Sequence, residues 1–218
     1  INFGDLFIAN FEQGLLKMDV SGGESDAHWS PEGPPVALVR NIEAWNDNVW
    51  VASGGIDETW TSMYHKHGFY GMSGMRWNWI PNQPGFNDLE GINDPMVVSI
   101  DPTNPFHAYF GSWEEGLIEI ENNELIAIYN ENNSTLELGN FGGSPRVGVG
   151  GVDFDRFGNV WFTNAYSDAP LHVRLKDGEF VQMALGNALG NTGWLGDVMA
   201  ARNGYIWCVM PRGQGVLV

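Results

Sequence analysis

The sequence contains a single cysteine, Cys208, so no disulfide can form within the chain. Basic residues are also scarce: 10 Lys and Arg face 27 Asp and Glu, which gives a formal net charge of -17. Such a surface repels phosphate backbones and anionic headgroups, so we expect no nucleic-acid partner. No run of about 18 apolar residues occurs, and therefore no transmembrane segment is predicted.

Glycine and aromatic residues are abundant instead. The 218 residues include 29 Gly and 10 Trp, while 43% are hydrophobic and 13% are aromatic. This apolar content excludes an intrinsically disordered chain. Glycine occurs at nearly twice its average share of about 7%. Together with the aromatic residues, it predicts short strands joined by tight turns.

Five short segments repeat one pattern around an aromatic residue. These aromatic residues follow one another at intervals of 43, 59, 52 and 46 positions: Phe7, Trp50, Tyr109, Trp161 and Trp207. The intervals are typical of β-propeller blades, and they are far longer than leucine-rich repeats of about 20–29 residues.

Each repeat unit predicts four strands, named A to D in chain order. Strand A is expected at 36–39, 96–100, 147–154 and 195–201, and the aromatic residue marks strand B. Asn- and Gly-rich turns join A to B, because these residues accept the positive φ of a tight hairpin. Since blades widen away from their axis, we expect Trp50, Trp161 and Trp207 to fill the core between them.

We therefore predict an all-β fold, a single β-propeller domain over 1–218 with about five four-stranded blades. The units are expected at approximately 1–31, 32–81, 92–130, 145–185 and 194–218. The first unit lacks strand A and the last lacks strand D, so we interpret the chain as a segment of a longer propeller. About seven blades are expected in that parent, within the usual range, and they would cover the open strand edges.

Two segments resemble known propeller repeats. Residues 151–164 contain Asp-Phe-Asp followed by Gly-Asn-Val-Trp-Phe-Thr-Asn, and residues 111–134 begin Gly-Ser-Trp-Glu-Glu-Gly-Leu. The first resembles the two-component regulator propeller repeats of Bacteroidota, and both are similar to PorZ-like β-propeller proteins of the type IX secretion system. The resemblance implies a non-catalytic, secreted protein of the periplasm or outer-membrane cell surface, with its signal peptide outside this chain.

The resemblance also implies partners. PorZ-like propellers belong to an attachment complex with a sortase-like protease and other outer-membrane and secretion-complex proteins, and they take part in transferring lipopolysaccharide to exported cargo. An anionic polysaccharide or lipopolysaccharide would need a basic pocket on this acidic chain. Five of the seven Arg lie after residue 140, so such a pocket is expected in the later blades.

Two other functions stay open. The chain resembles the periplasmic, ligand-sensing propellers of hybrid two-component regulators, which would bind an oligosaccharide. Residues 158–163 also resemble the repeat of streptogramin-lyase-like enzymes, which need a catalytic His and a metal at the axis. The five His occupy dissimilar repeat positions, and none has an evident carboxylate partner: His28, His65, His67, His107 and His172. We therefore predict a non-enzymatic protein without a cofactor.

The candidate binding residues lie near the ends of the B strands. Propellers commonly bind where the B-to-C loops converge at one end of the axis. Asn and aromatic side chains there can stack on sugars or anchor a partner chain, and packing over the loop below is an equally open explanation. The predicted ligand- or partner-binding residues are Asn10, Phe11, Trp60, Trp113, Asn164, Tyr166 and Arg212.

Three further motifs are interpreted as structural. Residues 153–159 begin like a calcium loop, but Asn164 stands where an EF-hand needs its bidentate Glu. The two imidazoles within 65–67 are fewer than the three or four protein ligands of a typical zinc site. The acidic run over 114–124 is interpreted as a solvated edge, because glycosidase carboxylates require a pocket. We predict no metal site and no catalytic residue.

Overall fold

The computed structural model describes residues 5–10, 14–19, 27–29, 33–34, 36–82, 91–189 and 195–218. The chain divides into two units, residues 1–33 and 34–218. The first unit contains one antiparallel sheet of three strands. Its strands are β1 (Asp5–Asn10), β2 (Gly14–Asp19) and β3 (Ala27–Trp29).

Apart from one two-stranded pair, the described residues of the second unit form four antiparallel sheets, each a simple meander. Blade 1 comprises β4 (Asn41–Trp45), β5 (Asn48–Ala52), β6 (Phe69–Ser73) and β7 (Arg76–Ile80). Blade 2 comprises β8 (Pro95–Asp101), β9 (Asn104–Ser112), β10 (Leu117–Glu121) and β11 (Glu124–Tyr129). A short pair follows, β12 (Gly139–Asn140) and β13 (Pro145–Arg146). Blade 3 comprises β14 (Val152–Phe154), β15 (Val160–Thr163), β16 (Leu171–Arg174) and β17 (Phe180–Met183), and blade 4 comprises β18 (Val198–Ala200), β19 (Ile206–Met210) and β20 (Gly215–Leu217).

These four sheets are arranged as successive blades of a β-propeller. Their first strands, β4, β8, β14 and β18, contact one another in this order, which places them around the axis. The predicted all-β propeller fold is thereby confirmed, whereas the count of about five blades and the seven-bladed parent stay predictions. Within the described residues the only helix is a 3-10 turn, Gly186–Leu189, and no helix there could span a membrane.

Tight turns define the strand ends. Asn46 has a φ of 53° between β4 and β5, and Asn122 and Asn123 have φ values of 52° and 65° between β10 and β11. Gly158 and Gly204 reach 85° and 92° in the first turns of blades 3 and 4. Asn and Gly tolerate this left-handed backbone best, which is why the sequence predicted hairpins at these positions.

Three predicted first strands are displaced or too long. The strand expected at 36–39 is wrong, because β4 begins only at Asn41, whose register partner Ala52 ends β5. The Arg40 N–H still donates to the Ala52 carbonyl, but beyond Ala52 the chain leaves this sheet, since the Gly54 N–H donates to the Pro95 carbonyl. The expected strand 147–154 contracts to β14, since Val147 and Gly148 form only isolated bridges, with Glu115 and Ala165. The expected strand 195–201 contracts to β18, before which a single backbone hydrogen bond joins Gly196 to Val209.

The core lies between the blades and includes most of the repeated aromatic residues. Trp50 and Tyr109 are buried, and Trp161 is half-buried. The expectation that Trp207 is core is wrong, because 39% of this residue is exposed. Trp207 pairs with Met199 on one face of blade 4, whereas Cys208 points to the opposite, buried face. Side chains alternate across a sheet, so only one of the two neighbours packs against blade 3.

Carboxylates of the first strands connect neighbouring blades. Glu43 of β4 accepts a hydrogen bond from the N–H of Ile100 in β8 at 2.8 Å, and Asp153 of β14 accepts one from Ala200 in β18 at 2.7 Å. Burial raises the pKa of Glu43 to about 7. These contacts hold the inner strands in register and give the connecting loops a rigid base.

Candidate functional site

A cavity of about 400 Å³ opens at the end of the second unit where the B-to-C loops and the blade-to-blade connections lie. In a meander these connections lie at one end of the strands, while the A-to-B and C-to-D turns lie at the opposite end. We name the two ends the loop end and the turn end. The loop-end cavity has a volume in the range of small-molecule sites, about 300–1,000 Å³. Its lining includes Arg40, Trp60, Met96, Trp113, Asp197 and Arg212.

One buried carboxylate organises the longest loop of this end, residues 53–68. Asp94 is fully buried, and its side chain accepts hydrogen bonds from three backbone N–H groups, at 2.7 to 3.0 Å, and from one hydroxyl. The donors are the N–H groups of Gly55, Tyr64 and His65 and the hydroxyl of Ser62. Because the donors flank Trp60 on both sides in sequence, Asp94 fixes the segment that carries this side chain.

Three predicted binding residues adopt a left-handed backbone. The φ values are 67° at Trp60, 58° at Tyr166 and 59° at Arg212. This conformation is uncommon for residues other than Gly, Asn and Asp, and it costs on the order of 1–3 kcal/mol when the surrounding structure imposes it. Such strain is concentrated at binding sites and switch regions. No sequence signal marks it, because bulky residues rarely occupy this region.

A row of aromatic rings joins four connections at this end, with one ring from each. The ring centroids of Trp60 and Trp113 are 5.9 Å apart, those of Trp113 and Phe141 are 5.5 Å apart, and those of Phe141 and Tyr166 are 4.6 Å apart. The indole N–H of Trp113 also donates to the Trp60 carbonyl at 3.1 Å. Edge-to-face and tilted pairs of this kind stabilise a packed cluster beyond their buried area. The row therefore holds the loops in fixed relative positions.

Trp113 and Trp60 contribute to the cavity in different ways. Only 1% of Trp113 is exposed, so its ring forms the floor and packs against Gly150 of the third blade's connection. Trp60 is half-buried, packs against Trp113 and lines the same cavity. Arg40 and Arg212 are exposed beside them, with Asp197 as the carboxylate of the lining. The site thus combines an aromatic floor with two cations in an otherwise acidic protein.

The remaining predicted residues lie elsewhere. Asn164 is fully buried, and its side-chain oxygen accepts a hydrogen bond from the Glu137 N–H at 2.7 Å, which anchors the connection after blade 2. Tyr166 packs on Phe141 outside the cavity lining. Asn10 ends β1 in the first unit, and Phe11 lies outside the described residues. The structure therefore brings together Trp60, Trp113 and Arg212.

Sequence reasoning missed a second polar cluster, at the turn end of blade 2. His107 lies between two carboxylates, with its Nδ1 3.0 Å from Asp101 Oδ2 and its Nε2 2.9 Å from Glu119 Oε1. Tyr129 donates its hydroxyl hydrogen to Glu119 Oε2 at 2.5 Å. The expectation that no His has a carboxylate partner is thus wrong. The solvated-edge interpretation is also wrong for Glu119, which is 7% exposed.

The register of one hairpin explains this cluster. Tyr109 of β9 pairs with Glu119 of β10, and His107 pairs with Glu121. His107 and Glu119 are therefore diagonal neighbours on one face of the sheet, within reach of long side chains. The sequence contains both residues, but their pairing can be predicted only when the β9–β10 register is known. Neither His107 nor Glu119 belongs to a recognisable motif by itself.

The contacts determine the charges in this cluster. Burial alone would raise the pKa of Glu119, but hydrogen bonds from His107 and Tyr129 outweigh it and lower this pKa to about 2. Burial would likewise lower the pKa of His107, but Glu119 and Asp101 raise it above its usual value. An imidazolium between two carboxylates results, because each ring nitrogen faces an acceptor.

The other motifs have structural roles. Asp155, in the calcium-like segment, accepts hydrogen bonds from the N–H groups of Phe157 and Asn159 and so caps its own turn. His172 is fully buried and stacked on Phe162, with 5.4 Å between the ring centroids, and burial lowers its pKa to about 4. Within the described ranges, no group of three or more His, Cys, Asp and Glu residues could hold a metal ion.

The blades define a class of protein by its fold, the β-propellers, and the loop-end cavity is the candidate site on it. No protein-family model matches the chain, and no curated protein matches it either. Solved structures do match. PorZ, an essential surface component of the type IX secretion system of Porphyromonas gingivalis, is 20% identical with a TM-score of 0.67, and the match covers 95% of this chain and 28% of PorZ.

Two enzymes with propeller folds are also similar. A streptogramin B lyase is 12% identical with a TM-score of 0.56, and the match covers 84% of this chain and 51% of the lyase. A gluconolactonase of Xanthomonas campestris is 11% identical with a TM-score of 0.53, over 94% of this chain and 65% of the enzyme. The chain thus spans less than two thirds of each of these proteins. At such identities the similarity shows the fold alone.

Proposed function

We propose that this chain is a non-enzymatic propeller module of a type IX secretion attachment complex at the cell surface of Bacteroidota, and that its loop-end cavity binds a protein partner. The TM-score of 0.67 to PorZ and the motif resemblance in 111–134 and 151–164 support the assignment to this complex. The similarity extends over 95% of the chain but over only 28% of PorZ, so the module would represent one part of such a protein.

The observation that carries the binding role is the convergence of Trp60, Trp113 and Arg212 on one cavity. Binding energy is concentrated in buried aromatic and Arg contacts at the centre of an interface. Here a partner side chain could pack against Trp60 above the buried Trp113 floor, while a partner carboxylate pairs with Arg40 or Arg212. Because Asp94 and the aromatic row fix the loops, little ordering entropy would oppose binding.

Affinity purification tests this proposal. The immobilised chain is incubated with detergent-solubilised outer membranes of Bacteroidota, and bound proteins are identified by mass spectrometry. The cavity variant is Trp60→Ala with Arg212→Glu. The matched control is Tyr205→Ala with Arg202→Glu, which removes an aromatic ring and reverses a charge at exposed positions of the blade 4 turn.

We expect the unmodified chain and the control to enrich a sortase-like protease or outer-membrane proteins, and the cavity variant to lose them. Equal recovery by the cavity variant would place the interface elsewhere on the surface. Recovery of no secretion protein by the folded, unmodified chain would contradict the proposal.

An oligosaccharide-sensing propeller is the second candidate, favoured by the chemistry of the same cavity. Its lining combines aromatic surface with the polar side chains of Asn41 and Asp197, and the volume of about 400 Å³ admits a sugar ring. A melting-temperature screen with oligosaccharides tests it, using the same cavity variant and control. A stabilising sugar that loses its effect in the cavity variant would favour this function.

The enzyme alternative has less support from the geometry. The lining of the loop-end cavity, as far as the chain is described, contains neither a His nor a Cys, and Asp197 is its acidic residue. A nucleophile paired with a base, the usual requirement of such chemistry, is not assembled there.

A further inference from the structure

A second cavity of about 300 Å³ lies at the turn end, between blades 2 and 3. It is lined by the first turn of blade 2, the first turn of blade 3 and the end of β16. We name it the turn-end cavity. Its charged and aromatic lining residues are Asp101, His107, Tyr109, Phe154, Asp155, Arg156, Phe157, Arg174 and Lys176.

Basic side chains are concentrated at this cavity. Arg156, Arg174 and Lys176 are three of the 10 Lys and Arg in a chain of net charge -17. Two lining carboxylates accompany them, those of Asp101 and Asp155. Basic side chains that line one concave surface attract anions locally, although the protein as a whole is negatively charged and repels them.

The carboxylate oxygens of the lining are already used. Asp101 Oδ1 accepts hydrogen bonds from the N–H and hydroxyl of Thr103, both at 2.7 Å, and its Oδ2 faces His107. Asp155 accepts from two backbone N–H groups with one oxygen, and from the Asn159 amide and the Trp161 indole with the other. Glu119, behind the lining, is bonded by His107 and Tyr129. These acceptors are thus occupied by the protein itself.

Several donors of the lining, by contrast, are open. Tyr109 is fully buried, and its hydroxyl lies near the Glu119 carboxylate but forms no hydrogen bond of good geometry. Burial raises its pKa, so the hydroxyl keeps its proton and remains a donor. The Nε of Arg174 is also buried without a partner, although its Nη2 forms an ion pair with Glu119 Oε2 at 4.0 Å and its guanidinium lies over the rings of Tyr109 and Tyr129 at 5.7 and 5.5 Å. Among the described residues, no carboxylate forms an ion pair with Lys176.

We propose that the turn-end cavity binds a compact, doubly charged oxyanion, with phosphate as the type, through Arg174, Lys176 and the Tyr109 hydroxyl. A ligand rich in hydrogen-bond acceptors would satisfy these donors, because a buried donor without a partner costs free energy. The carboxylates of the lining are already hydrogen-bonded within the protein and do not fill this role. Arginine suits tetrahedral oxyanions through its planar fork of donors. The cavity does not depend on the function proposed for the loop end.

Two sources could supply this chemistry, a free anion or a phosphate ester. The exposed ring of Phe157, 4.6 Å from the Arg156 guanidinium, lies at the rim and could pack against the organic part of an ester. The ligand series is therefore inorganic phosphate, phenyl phosphate and acetate at constant ionic strength.

Binding is measured on the full chain by two-dimensional ¹H–¹⁵N NMR titration. Tyr109→Phe removes the open hydroxyl and keeps the ring, and Lys176→Gln removes one cation. The control is Lys66→Gln, which removes the same charge from an exposed position in the 53–68 loop. We expect phosphate to shift the N–H resonances of Thr103 and Phe157, and each cavity variant to weaken binding about tenfold.

Tighter binding of phenyl phosphate than of phosphate would identify an ester as the preferred form, and equal binding would identify the free anion. Acetate should bind more weakly than either. The proposal is overturned if phosphate shifts no resonance around the cavity, or if Lys66→Gln weakens binding as much as Lys176→Gln. It is also overturned if acetate binds as tightly as phosphate.

Discussion

The two ends of the blades share the same strands but use carboxylates differently. At the loop end, Asp94 accepts hydrogen bonds from three backbone N–H groups and thereby shapes a 16-residue loop, 53–68. At the turn end, Glu119 accepts hydrogen bonds from the side chains of His107 and Tyr129. Asp94 thus shapes a loop, whereas Glu119, whose side-chain donors lower its pKa, makes stability depend on pH.

Connection length explains why the ends differ. The turns of these blades need only two to five residues, since Asn and Gly supply the left-handed backbone. The His107 cluster is therefore formed by side chains of the strands and not by a long loop. The backbone N–H groups of a long loop have no partners in the sheet, so they need another acceptor, which Asp94 provides for residues 53–68. The aromatic row adds side-chain packing between the loops. The same blades therefore present a cavity made by loops at one end and a cavity made by strands and turns at the other.

The largest expected effect concerns the floor of the loop-end cavity. Trp113→Ala should lower the free energy of unfolding by about 3–5 kcal/mol, because it empties a site where 1% of the residue is exposed. Urea unfolding followed by circular dichroism measures the change. Trp207→Ala is the matched control, since Trp207 is 39% exposed and should cost much less. Equal losses from the two variants would mean that the loop end is not held by its aromatic row.

Acid should destabilise the turn end through Glu119. Its folded-state pKa of about 2 lies below the ordinary 4.5, so its contribution is complete above pH 4.5 and is lost as the pH falls toward 2. The contribution is roughly 3 kcal/mol at 1.36 kcal/mol per unit. Urea unfolding between pH 5 and 2 should show a smaller loss for Glu119→Gln than for the unmodified chain.

The exposed Glu124, in the next strand, provides the control for this prediction. Glu124→Gln should retain the acid-dependent loss of the unmodified protein. If Glu119→Gln loses stability with acid as steeply as Glu124→Gln does, the turn-end network does not depend on the charge of Glu119.

As the pH rises above 6.5, loss of the proton from His107 should lower the free energy of unfolding. Its folded-state pKa is raised, so its stabilising contribution is complete below the unfolded value of 6.5 and is lost as the pH rises through the folded value. An NMR titration of the imidazole resonances should give His107 an apparent pKa above 6.5. In Glu119→Gln this value should fall, since one carboxylate partner is removed. An apparent pKa below 6.5 in the unmodified protein would contradict the imidazolium assignment.

Sequence periodicity predicted the propeller because its signals are local. An aromatic residue in strand B and an Asn- or Gly-rich turn before it recur at blade spacing, and each can be read within a few residues. The same logic placed Trp60, Trp113 and Arg212 near strand ends, where the structure brings them to one cavity. It failed at residues 36–39, where an apolar run after two prolines resembles a strand but lies outside the hairpin register.

The turn-end features could not be found in the same way. His107 and Glu119 are brought together by a diagonal contact across two strands, and Tyr109 and Arg174 meet only through the packing of blades 2 and 3. Such contacts depend on register and on tertiary packing, which a single sequence does not encode in any short window. The acidic run over 114–124 looks solvated in the sequence, but within it Glu119 is buried and hydrogen-bonded by His107 and Tyr129.

The smallest expected effect on stability is that of Trp60→Ala, and this variant distinguishes the roles of the two indoles. Trp60 is half-buried, and the Trp113 hydrogen bond goes to its backbone carbonyl, which alanine retains. The loop also keeps its Asp94 contacts, so the free energy of unfolding should fall by only about 1 kcal/mol. Partner or sugar binding at the cavity should nevertheless be lost, because an aromatic ring of the cavity lining is removed. A loss of stability as large as that of Trp113→Ala would instead make Trp60 part of the core, and the loop end would then be a packed cap rather than a binding surface.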